Sequence, residues 1–128
     1  MRVTTMTKIR VIIVDDLARV RQGLRAVLEL EEDLEVVGEA TNGLEAVQLA
    51  EKLSPDIVLM DLKMPVMDGF EATRQIKDRH LAKGVVVLTI HGDSNARERA
   101  TRAGVDAFVE KAAAVGTLTA TIRHVLGG

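Results

Sequence analysis

Apolar residues fall along the chain in two alternating periods. Ile9-Arg10-Val11-Ile12-Ile13-Val14, Asp56 to Met60 and Gly84 to Thr89 are short, almost continuously apolar runs. That is the pattern of strands covered on both faces. A shorter strand at Glu35-Val36-Val37, within Leu34 to Glu39, and another from Asp106 to Val109 complete the set. Between them the period lengthens. Leu17, Val20, Leu24, Val27 and Leu28 recur at helical spacing with Arg19, Arg21, Arg25 and Glu29 between them, predicting a helix over Leu17 to Leu30. Asn42 and Glu45 give a capping-box-like start to a second, running to Leu53 and stopped by Ser54-Pro55. A third follows the turn residues Met64-Pro65 and Asp68-Gly69 and reaches about Arg79. Asp93-Ser94-Asn95 offers N-caps for a fourth, to about Ala103, with Gly104 as its C-cap. Val115, Leu118, Ile122 and Val125 stripe a fifth, ending at Gly127-Gly128.

Strands that alternate strictly with helices imply an α/β fold, a doubly wound parallel sheet with right-handed crossovers and helices on both faces. The expectation is a single domain over residues 1–128, with its core at about 8–126 and no output domain in this chain. Of the two common doubly wound orders, 2-1-3-4-5 makes strands 1, 3, 4 and 5 consecutive neighbours. Those are the four runs that end in chemically loaded residues: Asp15-Asp16, Asp61, Thr89 and Lys111. Ligands of such sheets bind beyond the carboxyl ends of the strands, where the strand order reverses. Here that point lies between Asp15-Asp16 and Asp61.

Neighbouring strands are about 4.8 Å apart. Thr89 is then one strand from Asp61, and Lys111 two strands away, a gap its long side chain can largely span. Three converging carboxylates repel one another. A hard divalent cation resolves this, and Mg²⁺ takes oxygen ligands while keeping several waters. The lysine adds a point charge and the threonine a mobile hydroxyl donor. Together these groups suit phosphoryl transfer, with an aspartate as nucleophile and the cations offsetting charge on the transferring group.

Composition excludes several other classes. The chain has 128 residues, no cysteine, two Phe, no Trp or Tyr and a net charge of −2. Disulfide, thiolate and zinc-cluster chemistry is unavailable, and base-stacking platforms are nearly absent. The charge argues against nucleic acid as a partner of this domain. Neither a signal peptide nor an apolar run long enough to span a membrane is present, so no membrane partner is expected.

The motifs Val14-Asp15-Asp16, Met60-Asp61-Leu62-Lys63-Met64-Pro65-Val66-Met67-Asp68-Gly69, Leu88-Thr89 and Phe108-Val109-Glu110-Lys111 resemble the receiver domain of two-component response regulators. The resemblance covers essentially the whole chain. Val20-Arg21-Gln22-Gly23-Leu24 and Val37-Gly38-Glu39-Ala40-Thr41-Asn42-Gly43 further resemble the NarL/FixJ class. The resemblance implies a flavodoxin-like fold and a cytoplasmic signalling protein, not a conventional enzyme. It implies that Asp61 is the phosphoacceptor, charged from a phosphohistidine on a sensor histidine kinase. Asp15, Asp16, Asp61 and the backbone carbonyl of Lys63 would hold Mg²⁺, with Mn²⁺ as an alternative ion. Lys111 would contact the phosphoryl group, Thr89 would swing towards it, and Phe108 would be the switch aromatic. The side chains of Lys63, Ile90 and His91 occupy positions that tune phosphoryl lifetime. Phosphorylation would alter the strand 4/helix 4/strand 5 surface and could drive homodimerisation. Output would be transcriptional where the native chain continues.

Two features depart from the family pattern. Ala112 follows Lys111 where a proline, often after a cis bond, is common, and a cis bond costs about 3 kcal/mol before other residues. The helix-turn-helix domain usual downstream in the NarL/FixJ class is not within these 128 residues, so the expectation is either a stand-alone receiver or an excised domain. Other readings remain at this stage. A phosphotransferase using an aspartyl-phosphate would need an Asp-x-Asp motif, but Asp15-Asp16-Leu17 offers only adjacent acids. A flavodoxin-like nucleotide binder would need a phosphate cradle after strand 1 that this sequence lacks. A degenerate receiver would serve only as an interaction module. His80 and His124 read as surface residues. Arg97, Arg99 and Arg102 make helix 4 basic, either as a solvated face or for a docking partner.

Overall fold

The computed structural model describes residues 7–89, 94–111 and 114–127. Five strands alternate with five helices: β1 Ile9–Val14, α1 Ala18–Glu29, β2 Leu34–Ala40, α2 Gly43–Leu53, β3 Ile57–Asp61, α3 Gly69–Asp78, β4 Gly84–Thr89, α4 Ser94–Ala103, β5 Ala107–Glu110 and α5 Ala114–Val125. All pairings are parallel, and the sheet order is β2-β1-β3-β4-β5. The periodicity placed every element within a few residues of its observed position. The flavodoxin-like expectation holds.

The sheet buries apolar side chains on both faces because each has its own helical cover. Ile13, Leu59, Val86 and Val109 pack with Leu24 and Leu28 of α1 and Leu118 and Ile122 of α5. On the other face Ile12, Val14, Met60 and Val87 pack with Ala46 and Val47 of α2 and Ala72 and Ile76 of α3. All six residues of β4 are buried, which explains why its run shows no alternation. β2 is an edge strand, and its register against β1 slips between Val11 and Ile12. A bulge of this kind adds one residue to the partner strand.

Helix starts follow the local chemistry. Asn42 accepts the Glu45 N–H at 2.9 Å, while the Glu45 carboxylate reaches back to the Thr41 N–H and hydroxyl, both at 2.8 Å. The anticipated capping box is therefore present, with its return bond one residue earlier than usual. Asp68 accepts the Glu71 N–H at 2.9 Å. It is the N-cap of α3 as well as a turn residue. Gly104 follows α4 with φ 98°, a left-handed conformation that glycine adopts without strain. His80 and His124 are exposed, as expected.

Candidate functional site

The carboxyl ends of β1, β3, β4 and β5 meet at one rim, and each carries a group expected there. Asp15 and Asp61 come two residues after Ile13 and Leu59, and Lys111 two after Val109. Those three residues all belong to the core beneath α1 and α5. Alternation along a strand therefore continues the charged groups on that side. Thr89 comes two residues after Val87, on the opposite face, and Val87 is aligned with Phe108 of β5. Thr89 and Phe108 thus belong to one side of the β4–β5 pair.

Asp15, Asp16 and Asp61 each offer a carboxylate oxygen, and these lie within 4.8 Å of one another. Asp15 is 1% exposed, Asp61 is half-buried and Asp16 is exposed. Such a gradient suits a group of hard oxygen donors that faces solvent on one side, as a hydrated divalent cation requires. Asp15 also carries the structural role common to an aspartate after a strand, because its Oδ1 accepts the Leu17 N–H at 2.9 Å at the entry to α1. Its other oxygen, Oδ2, accepts from Lys111 Nζ at 2.7 Å. The same ammonium lies 3.5 Å from Asp61 Oδ1.

Burial, and then the neighbouring charge of Asp15, push the Asp61 carboxyl above the ordinary aspartate value, against the pull of Lys111 and the Leu62 N–H. For Lys111, burial is the largest single influence and lowers it. The bond to Asp15 and the charges of Asp61 and Asp15 together outweigh it, so the ammonium is held above the usual lysine range. An isolated carboxylate and ammonium would each be poorly solvated here. Together they form one compensated network.

Residues that had been given no site role complete the frame. Arg21 of α1 donates to the Asp15 carbonyl at 2.6 Å and to Glu39 at 2.9 Å, and Glu39 also accepts from Arg25 at 2.9 Å. The Asp15 N–H bonds the Ala40 carbonyl at 3.1 Å. Asp15 is thereby fixed through side chain and backbone from α1, β2 and Lys111. Gly69 donates to the Leu62 carbonyl at 2.9 Å, and any β-carbon there would overlap the Asp61 carbonyl oxygen. The spacing of the apolar residues carried no sign of either device, although Arg21 and Gly69 each lie inside a stretch already singled out.

Above the rim is a cavity of about 460 Å³, lined by Asp16, Asp61, Lys63, Thr89 and Lys111 and walled by Phe70 and Arg99 among others. Thr89 is 8% exposed. Phe108 is half-buried and packs against the core beneath α2 and α3, with the Arg97 guanidinium 4.5 Å from its ring centroid. The basic residues of α4 are therefore engaged: Arg97 on Phe108, Arg99 on Phe70 at 3.9 Å and Arg102 with Glu98. Ile90, His91, Asp93 and Ala112 lie outside the described residues.

Comparison with known proteins points the same way. Residues 11–123 match the model of the response regulator receiver domain. The transcriptional regulatory protein LiaR of Bacillus subtilis is 43% identical over 120 residues, 94% of this chain and 57% of LiaR. The response regulator protein VraR of Staphylococcus saprophyticus is 40% identical over 115 residues, 90% of this chain and 55% of VraR. The chain thus spans about half the length of the curated relatives it matches. Among solved structures, the response regulator domain of Thermotoga maritima CheB superposes with a TM-score of 0.88 at 30% identity, covering 94% of this chain and 98% of that one. A LuxR-family DNA-binding response regulator from Staphylococcus aureus superposes with a TM-score of 0.84 at 32% identity, covering 91% and 97%. No helix among the described residues is long and apolar enough to cross a membrane. The fold, the rim chemistry and these likenesses agree, and the chain belongs to the response regulator receiver domain family of two-component signalling.

Proposed function

We propose that this receiver is a phosphorylation switch whose phosphoacceptor is Asp61. The observation that carries this is the convergence of Asp15, Asp16 and Asp61 within 4.8 Å, with Lys111 bridging two of them. The donor set is all oxygen and fits Mg²⁺, or Mn²⁺, with the Lys63 carbonyl as a further ligand. When bound, the ion supplies positive charge that offsets the carboxylates and the phosphoryl group. An Asp61 oxygen forms a bond to phosphorus as the phosphorus–nitrogen bond of a phosphohistidine breaks, its electron pair staying on the imidazole. The donor is a sensor histidine kinase. Lys111 supplies charge to the phosphoryl oxygens, and the Thr89 hydroxyl donates to one of them.

Thr89 and Phe108 share one side of β4–β5, so movement of Thr89 frees space for the ring to repack. The β4/α4/β5 surface then shifts between two populations. Lys63, Ile90 and His91 tune phosphoryl lifetime. Phosphorylation promotes homodimerisation, and the output is transcription where the native chain continues. The protein works in the cytoplasm, and its only reactions are its own phosphorylation and dephosphorylation. Incubation with acetyl phosphate or phosphoramidate plus Mg²⁺, followed by intact mass spectrometry, tests the assignment. One phosphoryl adduct is expected in the wild type and none in Asp61→Ala; a full adduct in that variant sinks it.

A further inference from the structure

The cavity over Asp61 has a cationic wall that the phosphoacceptor chemistry does not use. Arg99 of α4 and Phe70 of α3 line it together with Asp61, Thr89 and Lys111. The Arg99 guanidinium carbon lies 3.9 Å from the Phe70 ring centroid. Its neighbours on α4 face carboxylates, Arg97 lying 4.0 Å from Glu110 and Arg102 2.6 Å from Glu98. Arg99 has no carboxylate partner among the described residues. Stacking occupies the face of a guanidinium and leaves its N–H donors along the edge for an anion. Phe70 therefore holds a preorganised cation, without a carboxylate partner among the described residues, at the mouth of the reaction cavity.

The charge balance gives this cation a task. Three carboxylates against one ammonium leave two surplus negative charges, which a divalent cation brings to neutrality. Attraction for an incoming anionic donor must then come from the walls, where Arg99 and Lys63 both stand. We propose that Arg99, held by Phe70, selects the phosphodonor, favouring dianionic acyl phosphates over donors whose leaving group is cationic. The inference rests on Asp61 being the phosphoacceptor. With acetyl phosphate, an Asp61 oxygen bonds to phosphorus while the phosphorus–oxygen bond to the acyl group breaks, and acetate departs with the electron pair. With phosphoramidate, a zwitterion at neutral pH, the phosphorus–nitrogen bond breaks instead. The nitrogen takes the electron pair, and ammonia departs with the protons it already carried.

The test compares rates of adduct formation from acetyl phosphate and from phosphoramidate at matched ionic strength. The proteins are the wild type, Arg99→Gln, Arg99→Lys and Phe70→Leu. Arg99→Gln is expected to lower the acetyl phosphate to phosphoramidate rate ratio roughly three- to fivefold, and concentrated salt to erase the difference. Arg99→Lys keeps part of the preference, and Phe70→Leu loses part of it. Mg²⁺ affinity, measured by calorimetry, stays equal or tightens in Arg99→Gln, because a nearby cation has gone. An unchanged rate ratio, or equal slowing with both donors, overturns the assignment to Arg99 while leaving Asp61 as acceptor. Absence of any adduct in the wild type removes the phosphoacceptor reading itself.

Discussion

Lys111 bonds Asp15 more closely than Asp61: its Nζ is 2.7 Å from Asp15 Oδ2 and 3.5 Å from Asp61 Oδ1. The lysine that would serve a phosphoryl group on β3 is therefore held, in this state, by a carboxylate on the loop after β1. A cation at Asp15 competes for the oxygens a metal would use.

Lys111→Gln removes that competitor. Mg²⁺ affinity is expected to rise roughly three- to tenfold, as judged from one charge interaction in a partly screened site. Phosphorylation of Asp61 slows in the same variant. Isothermal titration calorimetry and intact mass read the two effects separately. Weaker Mg²⁺ binding would show that the lysine orders the carboxylates instead of competing for them.

Asp61 makes folding pH-dependent in a direction opposite to that of most carboxylates. The folded group, with its raised pKa, keeps its proton where the unfolded one has lost it. Stability contributed by the protonated form falls as pH rises from the ordinary aspartate value through the higher folded one. Asp61→Asn removes this loss. Without divalent ions, the variant is expected to melt above the wild type at neutral pH and to lose that advantage in acid. Excess Mg²⁺ narrows the gap, since it binds the intact cluster preferentially. Circular dichroism melts across the pH series check this.

Gly69 backs Asp61 so closely that a β-carbon would overlap the aspartate carbonyl oxygen and come within 2.9 Å of Leu62 Cα. Both obstacles are backbone, so neither can rotate away. Gly69→Ala is expected to cost about 2–3 kcal/mol and to displace Asp61, measurable as a lower denaturation midpoint with weaker Mg²⁺ binding. A loss of stability with normal Mg²⁺ affinity would mean that the strain relaxes away from the site.

Thr73 of α3 is 1% exposed, and its hydroxyl has no hydrogen-bond partner among the described residues. Thr73→Val keeps the shape and removes the unsatisfied group. Chemical denaturation should show a gain of about 1–2 kcal/mol. A loss would reveal a partner for the hydroxyl, such as a bound water.

The periodicities of the chain announced the strands and helices because each element is buried in its own way. β4 is apolar up to its closing Thr89 since both its faces are covered, and α1 is striped since only one side meets the sheet. The loaded residues at the strand ends were legible for the same reason: a polar group closing a buried run must lie at the rim. Asp68 shows where local reading stopped short. Its Asp-Gly pair marks a turn, yet its carboxylate also caps α3, and the choice depends on the residues that follow.

What the sequence determined by itself was the element order, the covered sheet and the set of groups delivered to one rim, all consequences of local periodicity and turn chemistry. What only the tertiary structure decided was which of those groups touch. Lys111 meets Asp15 across 96 positions of sequence, and Arg21 reaches the Asp15 carbonyl from α1. Phe70 and Arg99, on different helices, stack over the same cavity. Such pairings arise from how packed helices set side chains against one another across the sheet, and no local pattern encodes them.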